Sequence, residues 1–203
     1  MKLFDLAYSM AMGNHGILTA SAARTNGIAS KDLARWVKIG RFVKCGNAVY
    51  KATQYPSSED DIYAIAVARC GNVAYLCGES VIGLLRLMPV AKDCIYVRAP
   101  RYLRRKLPEC CIVSVGKPEY VPIKINGILC QKPADAIREC IHVHTHEELF
   151  QAAQTAHAAG HIDAAEFENL KEAILGETRP RSPHTLRPMY SSSTSQSSTT
   201  VAK

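Results

Sequence analysis

Three cations recur at helical spacing in the first quarter of the chain. Lys31, Arg35 and Lys38 occupy positions i, i+4 and i+7, so a helix here would carry all three on one face. Ammonium and guanidinium groups bind DNA phosphates, and a helix also reaches base edges. The opposite face is apolar, with Leu33, Trp36, Val37 and Ile39. The pattern predicts a docked helix that presents its cations to nucleic acid; a solvated basic helix is the alternative.

A second pattern with chemical potential is the alternation of Cys140, His142, His144 and His146. On a strand these side chains would share a face, and imidazole with thiolate is a zinc ligand set. Residues 145–148 read Thr-His-Glu-Glu, however, which is a capping box and predicts the start of a helix. We therefore expect no metal site here.

The motifs of common catalytic sites are missing from the sequence. It contains no Gly-x-Ser-x-Gly, no Gly-x-Gly-x-x-Gly and no phosphate-binding Gly-Lys-Thr loop. The acidic run Glu59-Asp60-Asp61 stands at a predicted helix start, where carboxylates interact favourably with the helix dipole. We expect no catalytic residue and no cofactor.

Local signals in residues 1–55 predict the elements that would hold the basic face. Apolar residues recur at helical spacing over 3–12, and Thr19 offers an N-cap for a short helix over 20–25. Asn26-Gly27 ends that helix, because both residues tolerate a left-handed backbone. Ser30 is predicted to be the N-cap of the basic helix.

Two β-prone runs around Gly46-Asn47 predict a hairpin after the basic helix. Arg41, Lys44 and Lys51 would extend the cationic surface onto this hairpin. The order of elements is typical of a winged helix-turn-helix, in which the basic helix enters the major groove and the hairpin contacts the backbone.

The remainder of the chain predicts an α+β domain over residues 56–176 and a disordered Ser/Thr-rich tail over 177–203. The turn-prone stretch 56–60 marks the boundary after the N-terminal domain, residues 1–55. We expect helices over 62–70 and 78–87, from Pro133 to Ile141, and over 149–159 and 164–175; strands over 93–99, 112–115, 121–125 and 128–130; and a hairpin turn at Asn126-Gly127.

Charge is distributed unevenly along the 203 residues. The total is +7, but residues 1–55 carry +6, residues 99–132 carry +5 and residues 133–176 carry −6. Such blocks indicate localised binding of an anionic partner, and the acidic block is the part most open to a protein partner.

Composition excludes two classes of protein. Hydrophobic residues make up 47% of the sequence, which excludes general disorder, and no apolar run is long enough to span a bilayer. The N-terminus does not have the pattern of a secretory signal, so we expect a cytoplasmic protein with no membrane partner. The eight cysteines form no Cys-x-x-Cys pair and lie mostly in apolar runs, which predicts structural thiols.

Several short motifs follow one another in a familiar order. Residues 15–20 read His-Gly-Ile-Leu-Thr-Ala, and the helix with Lys31 and Arg35 leads into Gly-Arg-Phe-Val-Lys at 40–44. The later motifs are Ala48-Val49-Tyr50, Glu79-Ser80, Gly83-Leu84, Gly127-Ile128 and Pro133-Ala134-Asp135-Ala136. Together they resemble AbiEi-type antitoxins of bacterial type IV toxin–antitoxin systems, over about residues 12–175.

The resemblance implies an antitoxin that also represses its own operon. The N-terminal domain would bind inverted repeats in double-stranded operator DNA, with cooperative pairing on the DNA. The C-terminal domain would neutralise a nucleotidyltransferase-like toxin, with or without direct contact. The positions that match the DNA-binding part are Ser30, Lys31, Arg35, Lys38, Arg41 and Lys44; the candidates for a second anionic contact, or for a solvated turn, are Arg101, Arg104, Arg105 and Lys106.

Two other functions stay open at this point. The first is a winged-helix transcriptional regulator whose second domain senses a small molecule. The second, and weaker, is a nucleic-acid-modifying enzyme built on residues 59–175. A neighbouring toxin gene favours the antitoxin, whereas loss of repression on adding a metabolite favours the regulator.

Overall fold

The computed structural model describes residues 2–91, 93–101, 103, 107, 110–116 and 121–176. In this part of the chain eight helices and two sheets form a mixed α+β fold, as the sequence predicted. No helix among these residues has both the length and the apolar character needed to cross a membrane. The predicted disordered tail lies outside the described residues, as do Arg104, Arg105 and Lys106.

The N-terminal unit contains three helices and a three-stranded antiparallel sheet. Its elements are α1 (Leu3–Met12), β1 (Ile17–Thr19), α2 (Ala20–Thr25), α3 (Ser30–Lys38), β2 (Phe42–Gly46) and β3 (Val49–Ala52). The central strand is β3, which pairs with β1 on one side and β2 on the other. The sequence did not predict β1, because three residues are too few to show a strand period.

Two of the predicted helix caps are present and one is wrong. The Thr19 hydroxyl accepts a hydrogen bond from the Ala22 amide at 3.1 Å, and Gly27 has φ +76°, as predicted. The N-cap of α3, however, is Ala29 rather than Ser30. The preceding Ile28 is buried and its amide bonds to the Ala23 carbonyl, which fixes where the helix begins.

The predicted hairpin is confirmed, with its turn one residue further along the chain. The turn consists of Asn47 and Ala48, and Ala48 has φ +60°. The register shifts between Lys44 and Gly46, so β2 contains an extra residue that moves the turn past Gly46.

The second unit is built on a mixed five-stranded sheet with the order β6-β5-β4-β8-β7. The pairs β5–β6 and β4–β8 are parallel, and the other two are antiparallel. Its elements are α4 (Asp61–Cys70), β4 (Tyr75–Leu76), α5 (Glu79–Leu84), β5 (Ile95–Ala99), β6 (Cys111–Val115), β7 (Ile123–Ile125), β8 (Ile128–Cys130), α6 (Pro133–Glu139), α7 (His146–Ala158) and α8 (Ala164–Gly176).

Helix α5 is shorter than predicted and ends before Pro89. Arg86 takes a left-handed conformation with φ +54°, and the Leu87 amide bonds to the Ile82 carbonyl at 3.0 Å. This hydrogen bond, from an amide to the carbonyl five residues before it, is the Schellman motif that ends the helix, so Pro89 is not what stops it. The predicted helix from Pro133 likewise stops early, because Cys140 is its C-cap.

The hydrophobic core joins the two units. The cluster between α4 and the five-stranded sheet includes Ile17 of β1 and Val49 of β3, both at most 4% exposed. A second cluster fills the space between α5, α6, α7 and α8, and a third lies inside the N-terminal unit. Contacts therefore cross the predicted boundary at 56–60.

The turn between β7 and β8 also contacts the N-terminal unit. Asn126 and Gly127 have φ +51° and +81°, the left-handed pair that the sequence predicted for a tight hairpin. A Cβ on Gly127 would lie 2.6 Å from the backbone nitrogen of His15. Only glycine fits at position 127, because the turn lies so close to the backbone of His15.

Gly127→Ala and Gly160→Ala together test this packing. Both positions are left-handed, but a Cβ on Gly160 (φ +74°) would meet no described heavy atom within 4 Å. We expect a loss of unfolding free energy of about 1 kcal/mol for Gly160→Ala and about 3 kcal/mol for Gly127→Ala. Urea denaturation of the two variants checks this; equal losses would contradict the close approach.

Candidate nucleic-acid interface

The basic face of α3 is exposed along its whole length. Leu33 and Trp36 are buried at 1% and 3% exposure, which confirms that the helix docks through its apolar side. Ile39 was predicted to line that side as well, but it is 60% exposed because it lies at the C-cap. All six DNA-contact candidates are exposed: Ser30, Lys31, Arg35, Lys38, Arg41 and Lys44.

An aromatic cluster fixes α3 on the N-terminal unit. The Phe4 ring lies edge-on to Trp36 of α3 at 5.5 Å and to Phe42 of β2 at 6.3 Å. The Arg41 guanidinium sits over the Phe4 ring, 5.5 Å from its centroid. This cation–π contact holds Arg41 between α3 and the hairpin.

One acidic residue lies within the basic face. Asp32, in the first turn of α3, pairs with Arg35 at 3.4 Å across one helical turn. The Arg35 side chain is 65% exposed, so the pair contributes little to stability. Its main effect is to subtract one positive charge from the basic face.

Lys51 is not part of the cationic surface, contrary to the sequence-based prediction. Its side chain is 10% exposed and its ammonium group donates to the Asp61 carboxylate. The ammonium group also donates to the Ser57 hydroxyl at 3.2 Å and to the Pro56 carbonyl at 3.4 Å. A buried cation needs such partners, and β3 presents Lys51 to α4 rather than to solvent.

His15 completes this buried polar network. Its Nε2 lies 3.1 Å from Asp61 and 3.3 Å from the Ser58 hydroxyl, and its Nδ1 lies 3.1 Å from the Asn126 carbonyl. His15 is 4% exposed and its ring leans on Tyr55 at 5.0 Å. Ser58, His15 and Asp61 do not form a catalytic triad. In a triad the serine and the aspartate bind opposite nitrogens of the imidazole, whereas here both lie against Nε2 of His15.

The sequence contained no local signal for this network. His15 lies in the turn before β1, Lys51 on β3 and Asp61 on α4, and 46 positions separate His15 from Asp61. The acidic run at 59–61 lies at the start of α4, as predicted, and Asp60 and Asp61 in addition form ion pairs, with Arg86 and with the network. Tertiary packing brings these groups together.

The predicted second anionic contact is described only in part. Arg101 is exposed and lies in a bend after β5. The other three candidates fall outside the described residues. Of the four candidate cations, Arg101 is therefore the one that the described residues place on the surface.

Helix α7 begins at His146 with Thr145 as its N-cap, as the capping box predicted, and His142 and His144 lie in the turn before it. Thr145 accepts from the Glu148 amide, and the Glu148 carboxylate accepts from the Thr145 amide at 3.0 Å. His144 Nε2 lies 2.5 Å from the Glu79 carboxylate of α5. Among the described residues no group of three His, Cys, Asp or Glu is arranged to hold a metal ion.

Glu79 shifts the titration of both its neighbours. Its hydrogen bond to His144 raises the pKa of that imidazole. Burial, together with the adjacent Glu79 carboxylate, raises the pKa of Tyr96 to about 12. The Glu79 carboxyl group therefore interacts with both His144 and Tyr96, and its contact with His144 ties α5 to the turn before α7.

Four of the eight cysteines, Cys70, Cys77, Cys130 and Cys140, are buried, whereas Cys110 is exposed. Burial raises the pKa of Cys77 and of Cys130 to about 12, so neither sulfur is a nucleophile at neutral pH. Cys140 is shifted in the same direction for the same reason.

Comparison with known proteins adds no family assignment. The chain matches no protein-family model, and no curated protein matches it. The resemblance to AbiEi-type antitoxins therefore stays a prediction from the motifs.

The neighbouring acids Asp60 and Asp61 provide a matched test of the buried network. Asp61→Asn leaves the Lys51 ammonium buried without its counter-charge, and we expect a loss of about 3 kcal/mol of unfolding free energy. Asp60→Asn removes a pair whose Arg86 side chain is 63% exposed, so we expect about 0.5 kcal/mol. Chemical denaturation measures both; a similar loss in each would contradict the assignment.

The His144–Glu79 contact makes stability depend on pH. Because the pKa of His144 is raised on folding, its contribution is full below the unfolded-state value of about 6.5 and is lost as pH rises through the folded-state value. Glu79→Gln should therefore destabilise the protein more at about pH 6 than at about pH 9. Glu147→Gln, on the exposed side of α7, is the control and should show no such difference.

Proposed function

We propose that the N-terminal unit is a winged helix-turn-helix and that the chain is an antitoxin that represses its own operon. The observation that carries the DNA-binding half is the exposed basic face of α3, which continues past Arg41 onto the hairpin. The chain would act in the cytoplasm, with double-stranded operator DNA as its nucleic-acid partner.

The order and pairing of the elements support this assignment. Helices α2 and α3 are joined by a four-residue turn, and β2 and β3 follow as the hairpin, with β1 closing the sheet. In a winged helix the second helix of the turn enters the major groove while the wing lies along the backbone. Lys31, Arg35 and Lys38 would then contact phosphates and base edges, and Lys44 the phosphate backbone.

The antitoxin half rests on the motifs of the second unit. Glu79-Ser80 opens α5, Gly127-Ile128 begins β8, and Pro133-Ala134-Asp135-Ala136 opens α6. In this proposal the second unit neutralises a nucleotidyltransferase-like toxin, and the regulator that senses a small molecule is the competing function. Growth restored on co-expression with a neighbouring nucleotidyltransferase gene supports the first and not the second.

The two halves are best separated by point substitution rather than by truncation. Ile17, Val49 and Lys51 pack on the second unit, so a cut near residue 56 would expose apolar surface and a buried charge. Substitutions on the exposed face of α3 leave this interface intact. A full-length variant that loses DNA binding should therefore still neutralise the toxin.

Arg35→Ala combined with Lys38→Ala should weaken DNA binding through lost phosphate contacts. The slope of log Kd against log salt should fall by about two units, because each neutralised phosphate contributes about 0.9. Fluorescence anisotropy with a labelled duplex from the region upstream of the gene, titrated with KCl, measures the slope.

The control for that titration is Arg138→Ala combined with Lys171→Ala. This pair removes the same charge from α6 and α8, where both cations form exposed ion pairs within their own helices. Its salt slope should match that of the unmodified chain. An equal change in both double variants would show a general charge effect and would contradict the role of α3.

A further inference from the structure

Two thiols from distant parts of the chain lie in contact beside the five-stranded sheet. Cys70 is the last residue of α4 and is buried, while Cys111 opens β6 and is half-buried. Their sulfur atoms are 3.8 Å apart, although 41 positions separate the residues in the sequence. A disulfide has an S–S distance of about 2.05 Å, so the two sulfurs need to close by less than about 2 Å.

The surroundings of the two sulfurs differ. The contact with the Cys70 thiol and the nearby Arg69 guanidinium lower the pKa of Cys111, in contrast to the raised values of Cys77 and Cys130. A thiolate is the nucleophilic form of cysteine, and solvent reaches Cys111 but not Cys70. This pairing of an accessible thiolate with a buried neighbour is typical of a peroxide-sensitive site.

We propose that Cys111 and Cys70 form a redox site that reacts with hydrogen peroxide to give a disulfide. The Cys111 thiolate attacks one peroxide oxygen; an S–O bond forms, the O–O bond breaks and the departing hydroxide takes up a proton to become water. The Cys70 sulfur, after losing its proton, then attacks the sulfenic acid; the S–S bond forms and the S–O bond breaks, releasing a second water. The two sulfurs together lose two electrons and the peroxide gains them.

The cross-link would join the C-terminal end of α4 to the first residue of the edge strand β6. Helix α4 packs on β5 and β8 of the sheet and on the strands of the N-terminal unit. Asp61 at its start holds His15 and Lys51, and Cys70 at its end would be bonded to the edge strand β6. Oxidation would therefore fix the second end of a helix whose first end is already held by Asp61. This site is independent of DNA binding.

The test uses the full-length chain, treated with hydrogen peroxide and then alkylated to trap any remaining thiols. Peptide mapping by mass spectrometry without reductant should show the Cys70 peptide joined to the Cys111 peptide, with loss of two hydrogen atoms. Dithiothreitol should separate the peptides. The melting temperature of the oxidised chain should be higher by roughly 5–10 °C.

Two variants distinguish this pair from its neighbours. Cys110→Ser is the matched control, because Cys110 is exposed and adjacent, and the cross-link should form in it unchanged. Arg69→Gln should slow alkylation of Cys111 at neutral pH several-fold, since it removes the nearby positive charge. A disulfide through Cys110, a cross-link between two chains, or a Cys111 sulfenic acid that persists beside a Cys70 thiol would each overturn the proposal.

Discussion

The buried carboxylate of Asp61 is the constraint on which the arrangement of the two units depends. It accepts from the Lys51 ammonium group of β3 and lies 3.1 Å from His15, so one acid at the start of α4 holds two segments of the N-terminal unit. Removing these groups from water is unfavourable unless each finds its partners. The network therefore favours a single relative position of the units, and the apolar contacts of Ile17 and Val49 reinforce it.

The Asp61 network is connected to the basic face of the N-terminal unit through the hairpin of β2 and β3. Lys51 lies opposite Val43 in the register, one pair away from Lys44, so the strand that is bonded to α4 is the direct neighbour of the strand that would contact DNA. On the other side, Trp36 and Phe42 tie α3 to β2 through the Phe4 ring. In the proposed function, the orientation of the DNA-binding surface is thus determined by the second unit, without a flexible linker.

Local chemistry explains which features the sequence predicted. The Thr145 capping box, the Thr19 cap and the Asn126-Gly127 turn each depend on residues within a few positions of one another, and all three are confirmed. Strands β1 and β4, with three and two residues, exist because partner strands from elsewhere pair with them. Lys51 could not be separated from Lys44 by composition or spacing, since only the packing of α4 makes one buried and leaves the other exposed.

The two main charge blocks are used in different ways. The basic block of residues 1–55 leaves Lys31, Arg35, Lys38 and Lys44 exposed, and their mutual repulsion is relieved only slightly by Asp32. Carboxylates of the acidic block have roles inside the fold, because they cap α7 and α8 or pair with cations: Asp135, Glu139, Glu148, Asp163, Glu166 and Glu168. Judged by net charge alone, the basic block and the acidic block would be equally good candidates for binding surfaces. Six of the eight carboxylates in the acidic block thus have a partner within the chain, whereas the cations of α3 are exposed and, in the proposed function, contact the phosphates of DNA.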